Sequence, residues 1–355
     1  MMRSGRSKCL RVLARVAGRG AAADIDSVVG PGGRWAMGAW KQTVAALVSA
    51  MGMVGCAGDV TESEPALRSG VAELAAPNGR NLNGRNLNGR NLNTIELGQL
   101  LVSVDLAGAR IAEEVLGAVR LEGSVFHGVA SSGPVSGQAF QGARFTGNLG
   151  SGDTVELRVD GIEPGTGADA DVWSYRVSYY DTAEALWKPA CAAEDGSALG
   201  AIPVAGRWDY RQGVTGGGAK VDDAARFTFA CEGAAIAKCV RFGYRPWATT
   251  ADGLSLADHH QACTRMVRAD FCGDGTSHTT DGQWVNLHDA VDVQADTEAW
   301  LHEAEWDAHG ARCFTETTRA AQAVSCPGQT PRTICGKQAH FQTGTLIMSE
   351  VPPAQ

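Results

Sequence analysis

Histidine, cysteine and aspartate crowd into one stretch of the chain, Ser255 to Asp289, which reads SLADHHQACTRMVRADFCGDGTSHTTDGQWVNLHD. His259, His260 and Cys263 lie close together there, with His278 and His288 downstream. A Cys–His nucleophile needs such residues: a thiol of lowered pKa and a base within reach. A hydrolase built from His260, Asp270, Asp274 and His278 is a second arrangement, although no G-x-S-x-G nucleophile turn accompanies it. Calcium is a third. Counted from Asp270 as position one, Asp274 falls at five, Gly275 at six, Thr276 at seven, His278 at nine and Asp281 at twelve, echoing an EF-hand loop. Cys272 at position three offers calcium no oxygen, and Asp281 stands where such a loop carries glutamate. The plainer reading is a glycine-rich disulfide loop whose aspartates cap neighbouring amides. No cofactor is read from these residues.

The cysteines decide against a thiol enzyme. Of the ten, Cys9 precedes the start favoured below and Cys56 sits at a lipidation signal, which leaves Cys191, Cys231, Cys239, Cys263, Cys272, Cys313, Cys326 and Cys335. An even set in an exported chain implies disulfides, and the absence of any C-x-x-C pair speaks against a zinc site. Eight cysteines allow 105 pairings. Short separations favour Cys231 with Cys239, Cys263 with Cys272 and Cys326 with Cys335, leaving Cys191 for Cys313.

These residues need elements to hold them. Leu256, Cys263, Met266 and Val267 recur at helical spacing and Ser255 with Asp258 forms a capping signal, so a helix is expected over about 256–269. It should bury Cys263 and Met266 and turn Arg265 and Arg268 partly outward. The glycines at 273 and 275 then break the chain, and a strand is expected over about 283–288.

The string Arg268–Gly275, RADFCGDG, resembles the ADYC domain, a bacterial family named for an Ala-Asp-Tyr-Cys motif, with Phe271 in place of the tyrosine. KCVRFGYRPW (238–247), HQACTRMVRAD (260–270) and EAEWDAHGARC (303–313) fit the same resemblance in order, over roughly 97–341. The resemblance carries no catalytic residue over to this chain.

Upstream, residues 1–36 hold seven Arg/Lys against Asp24 and Asp26 and read as an extension before a start at Met37. From Met37 follow Lys41, an apolar run over Val44–Val54, then Gly55 and Cys56, a signal-peptide pattern too short to span a bilayer. Met53-Val54-Gly55-Cys56 resembles the lipobox of bacterial lipoproteins, in which the cysteine carries a diacylglycerol. Ala57, rather than aspartate, beside it points to the outer membrane. Residues 37–55 are therefore the expected signal peptide and 56–77 a flexible tether.

NGRNL then repeats three times over 78–92, with Leu82, Leu87 and Leu92 in register, so 78–97 is either a pentapeptide-like β-helix fragment or, more simply, a linker. Val155, Leu157 and Val159 alternate with polar residues, as do Trp173, Tyr175, Val177 and Tyr179, the mark of half-buried antiparallel strands. A β-rich subdomain is expected over 98–182, a cysteine-rich one over 183–345 and a tail over 346–355. The fold class is α+β and mostly β: a hairpin-rich antiparallel portion followed by a disulfide-stapled mixed portion with one clear helix.

The formal net charge is −8; the first 36 residues contribute +5, so the rest carries −13. A body this acidic excludes nucleic acid as a partner, because phosphate binding needs a basic surface. Trp247, Trp284, Trp300 and Trp306, with Tyr244 and Arg245, are the residues that would line a glycan or peptide groove, unless they fill the core. The leading expectation is a lipid-anchored protein of the cell envelope with a binding or structural role, its partners the membrane through the lipid and an envelope protein or glycan. An exported hydrolase with its site near His260 to His288 is the alternative.

Overall fold

A computed structural model describes residues 100–193, 196–279, 283–326, 333–335, 341 and 344–353. The signal segment, Cys56, the tether and the NGRNL repeat lie outside them. No helix among the described residues is long and apolar enough to cross a membrane.

The strands run β1 (Leu101–Asp105), β2 (Arg110–Ile111), β3 (Glu114–Val115), β4 (Gly117–Glu122), β5 (Val125–Ala130), β6 (Gly133–Ser136), β7 (Arg144–Leu149), β8 (Thr154–Glu163), β9 (Ser174–Asp181) and β10 (Leu186–Pro189). Next come β11 (Gly200–Ala205), β12 (Arg207–Trp208), β13 (Lys220–Val221) and β14 (Arg226–Cys231), then helices α1 (Ala235–Arg241) and α2 (Ala257–Arg268). The chain finishes with β15 (Asn286–Asp289), β16 (Leu301–Asp307), β17 (Gly310–Phe314), β18 (Thr333–Ile334) and β19 (Ile347–Val351).

The principal sheet is ordered β1-β14-β11-β9-β8-β7, and β1 also pairs with β7, so six antiparallel strands close on themselves. Closure leaves these strands without a free edge, which removes the usual route to edge-to-edge association. The predicted hairpin is present, with Leu157 opposite Tyr179 and Val159 opposite Val177. The interior is aromatic. Phe126, carried by the separate three-stranded sheet β4-β5-β6, inserts with its ring centroid 5.0 Å from Phe145, 5.2 Å from Tyr175 and 5.1 Å from Phe227. The contacts with Tyr175 and Phe227 are edge-to-face, a geometry that adds to the burial itself.

The sequence places a subdomain boundary at 182, yet the principal sheet runs across it to Cys231. The reason lies in β11 and β14, which are covered on both faces. Phe227 and Phe229 point into the barrel, whereas Ile202, Val204 and Ala230 join the core around the helices. Strands buried twice show continuous apolar runs rather than alternation.

Helix α2 matches the predicted span to within a residue at each end, and the Ser255 hydroxyl accepts a hydrogen bond from the Ala257 amide at 3.2 Å. Helix α1 was not anticipated. It is seven residues long and buried at five of them, so its sequence carries little apolar–polar contrast. On the far side of α2 lies a five-stranded sheet, β15-β19-β16-β17-β18, antiparallel except for β17 with β18. Its Leu287, Ala304, Trp306 and Ile347 pack with Met266 and Val267 of α2 and with Val240 of α1. The helices are thus a layer between two sheets.

All eight downstream cysteines are paired, as expected, but every expected pairing is corrected: the bonds are Cys191–Cys231, Cys239–Cys263, Cys272–Cys326 and Cys313–Cys335, with Cα separations of 5.0 to 5.7 Å. Sequence proximity misled because neighbours in the chain serve different cores. Cys231 closes the barrel end, whereas Cys239, eight residues on, faces α2 in the second core. Bridges closing loops of this size each contribute about 2 to 4 kcal/mol, chiefly through the unfolded chain.

Candidate functional site

Because α2 is enclosed by two sheets, its polar side chains are buried along with its apolar ones, and each must find a partner inside the protein. Gln261 receives the Trp208 indole N–H at 3.0 Å and donates to the Gly218 carbonyl at 3.0 Å. The Nε2 of His260 lies 3.2 Å from the Ile236 carbonyl oxygen, and since a carbonyl only accepts, this nitrogen carries the proton. Burial pushes the His260 ring down to about 3, so it is neutral across the physiological range.

Arg265 and Arg268, expected partly outward, are fully buried. The correction has a local cause. Ala269 ends α2 in the left-handed region, at φ +53°, and this turn folds Asp270 back under the last turn of the helix. There its carboxylate, also fully buried, accepts from Arg265 and lies 3.7 Å from Arg268, while the Asp274 and Gly275 amides donate to it at 3.2 and 3.1 Å. Arg268 also donates to the Gly275 carbonyl and Arg265 to that of Gly217. Two cations and one anion are buried as a unit, and hydrogen bonds compensate part of their desolvation.

The glycines of the loop are equally committed. At Gly273, φ +68°, an added Cβ would lie 1.7 Å from the His309 carbonyl oxygen, and at Gly275, φ +85°, 2.1 Å from that of Arg211. Phe271 packs 5.1 Å from Trp306 and 5.2 Å from Phe314, and Cys272 is bonded to Cys326. The stretch that looked most reactive therefore works as a knot joining α2, the 211–218 segment and the 309–310 turn.

The hydrolase candidates are divided between surroundings. His278 stands half-buried beside Phe271, its ring pushed down by burial and raised in part by the charges of Asp270 and Asp274. His260 faces Ile236 and Trp208 instead. In the calcium reading, Asp270 faces two guanidinium groups, Asp274 caps the Thr276 amide at 2.9 Å, and Asp281 lies outside the described residues.

The aromatic residues do not form one groove. Trp306 and Tyr244 are core, whereas Trp247 and Arg245 grip the 169–171 turn, the indole donating to Asp171 at 2.9 Å and the guanidinium to Asp169 and Asp171 at 2.6 Å each. Trp284 is exposed and Trp300 half-buried.

A second group of polar residues gathers on the face of the five-stranded sheet turned away from α2. Register sets Asn286 of β15 and His302 of β16 on either side of Glu350 of β19, and His288 and Glu305 on either side of Met348. A bulge between His302 and Ala304 brings His302 and Glu305 to the same face. One ligand-type atom each from His288, Asp296 and Glu350 lies within 4.8 Å of the others, as does one each from His302, Glu305 and Cys335. Cys335 is spent in its disulfide with Cys313. The fully buried Asn286 amide nitrogen donates to Asp296 Oδ1 and to Glu350 Oε2, both at 3.0 Å. Burial, with the charge of Asp296, pushes the Glu350 carboxyl up. Burial pushes His302 down. Only His288 of these stood out in the sequence. The spacing Asn286-x-His288 on a predicted strand was a readable sign of a shared face, but His302 and Glu350 are brought there by register and Asp296, in the segment after β15, by its hydrogen bond from Asn286.

Together these features define a disulfide-stapled α+β domain in which two helices are held between a closed barrel and a second sheet. The ADYC domain model matches residues 137–320, just over half of the chain, and the protein belongs to that family. No curated protein matches it, and no solved structure does.

Proposed function

We propose that the chain is an exported lipoprotein of the cell envelope, held in the outer membrane by a diacylglycerol on Cys56, whose ADYC domain has a non-catalytic binding or structural role toward an envelope protein or glycan. The observation that carries the reading is the use of the reactive side chains: His260, Asp270, Arg265 and Arg268 are fully buried and bonded within the fold. Four disulfides support export, since such bonds persist in oxidising compartments. The Met53–Cys56 signal and the polar tether behind it support anchoring at a distance from the membrane. Stable attachment requires two hydrophobic signals, which a diacylglycerol with an amide-linked chain supplies.

Fractionation of cells expressing wild type and Cys56→Ser tests the anchor: the variant is expected in the soluble fraction and the wild type with membranes. Equal membrane partitioning of the two would sink it. Hydrolysis of ester or glycoside substrates that disappears in His278→Ala would overturn the non-catalytic part.

A further inference from the structure

We propose that His288, Asp296 and Glu350 bind a divalent transition-metal ion of the zinc class, with Asn286 as the residue that positions the two carboxylates. This inference does not rest on the lipid anchor.

The three ligand atoms, one imidazole nitrogen and two carboxylate oxygens, come from β15, from the segment that follows it and from β19, and lie within 4.8 Å of one another. Around a tetrahedral zinc ion, with bonds of about 2.0 to 2.2 Å, ligand atoms sit roughly 3.4 Å apart, so modest side-chain rotation closes the set. Two of the three are already oriented. The Asn286 amide, with no exposed surface, holds Asp296 Oδ1 and Glu350 Oε2 at 3.0 Å each, which fixes the two carboxylates side by side. Thr297 braces the same amide from its oxygen side, its hydroxyl 3.5 Å from Asn286 Oδ1. Groups bonded to the ligands in this way fix ligand orientation in metal sites.

Charge gives the second reason. Asn286 is neutral, and among the described residues no lysine or arginine lies within ion-pair distance of Asp296 or Glu350, although nineteen such contacts occur elsewhere in the domain. Among the described residues, two carboxylates are therefore brought together without a counter-cation. The Nδ1 of His288 is buried and has no hydrogen-bond partner among the described residues. A divalent ion would answer the charge. Imidazole with carboxylates suits zinc and its neighbours, whereas calcium takes six to eight oxygens. Asp296 is exposed, so an ion has a path in and the fourth position stays open to water or to an acceptor group of a ligand.

The test is titration of the full chain, its free thiols alkylated without reductant, with Zn2+ and separately with Co2+, read by calorimetry and by the visible absorption of tetrahedral Co2+. One equivalent is expected to bind, with the Co2+ bands present. His288→Ala and Asp296→Asn, the latter at an exposed position where folding is least at risk, should each weaken binding at least tenfold. His309→Ala, at an exposed histidine away from the cluster, should leave it unchanged. Failure of the wild-type chain to bind either ion, or binding that survives intact in both His288→Ala and Asp296→Asn, would overturn the proposal. So would stronger binding of Ca2+ than of Zn2+.

Discussion

Arg265 and Asp270, five residues apart, meet beneath the last turn of α2 with neither side chain exposed by more than 2%. Only the left-handed turn at Ala269 makes this meeting possible, because a helix continued through Ala269 would carry Asp270 past the turn that holds Arg265. Removing the anion leaves two guanidinium groups buried without it, and breaking such a set costs about 3 to 5 kcal/mol. Asp270→Ala is expected to lose that much in urea unfolding at neutral pH. Asp270→Asn, which keeps an acceptor oxygen for the amides, should lose less. A midpoint within experimental error of wild type in both variants would show that the triad is not a determinant of stability.

Two glycines on either side of α2, Gly253 before it and Gly273 in the loop after it, give a contrast between shape and backbone. Gly253 and Gly273 both have positive φ, at +88° and +68°, but an added Cβ at Gly253 meets nothing within 4 Å. Gly253→Ala should cost only the left-handed backbone penalty, about 1 to 2 kcal/mol. Gly273→Ala must also push away the His309 carbonyl and is expected to cost several times more or to abolish folding, judged by soluble yield and melting temperature. Equal costs at the two positions would mean that the loop does not pack on the 309–310 turn.

Neutral His260 imposes a pH dependence. Its folded pKa is pushed to about 3 from an ordinary 6.5, so between these values the unfolded chain binds the proton and the folded chain does not. Stability is therefore complete above about pH 6.5 and falls as the pH drops toward 3, by about 1.4 kcal/mol per unit for this one group. His259, His278 and His302, also lowered by burial, add to the same trend. His260→Gln, which retains an N–H donor for the Ile236 carbonyl, should flatten the slope of unfolding free energy between pH 6 and 4.5 by one proton equivalent. An unchanged slope would place His260 in contact with water.

Much of the architecture was legible before any coordinates. The alternation in 155–159 and 173–179 specified a hairpin, the spacing of Leu256, Cys263, Met266 and Val267 specified α2, and the even set of eight downstream cysteines specified disulfides. Each of these is a local or parity signal, carried by periodicity or by count. The order of the motifs around Ala269-Asp270-Phe271-Cys272 was enough to indicate the family.

Three things depended on tertiary structure alone. The partners of Cys191, Cys231, Cys239 and Cys263 were set by which of two cores each faced, and no separation along the chain encodes that. The burial of Arg265 and Arg268 followed from α2 lying between two sheets: from His259 to Arg268 the helix has no outward face, so charged side chains that sequence patterning assigns to solvent must pair internally. The grouping of Asn286, His288 and Glu350 arose from strand register, which brings residues 64 positions apart to 3.0 Å, and Asp296 joins it through Asn286. Register is fixed by the apolar residues on the opposite face, Leu287, Ile347 and Trp306, and a slip of one residue would have turned the strand residues of the cluster into the core.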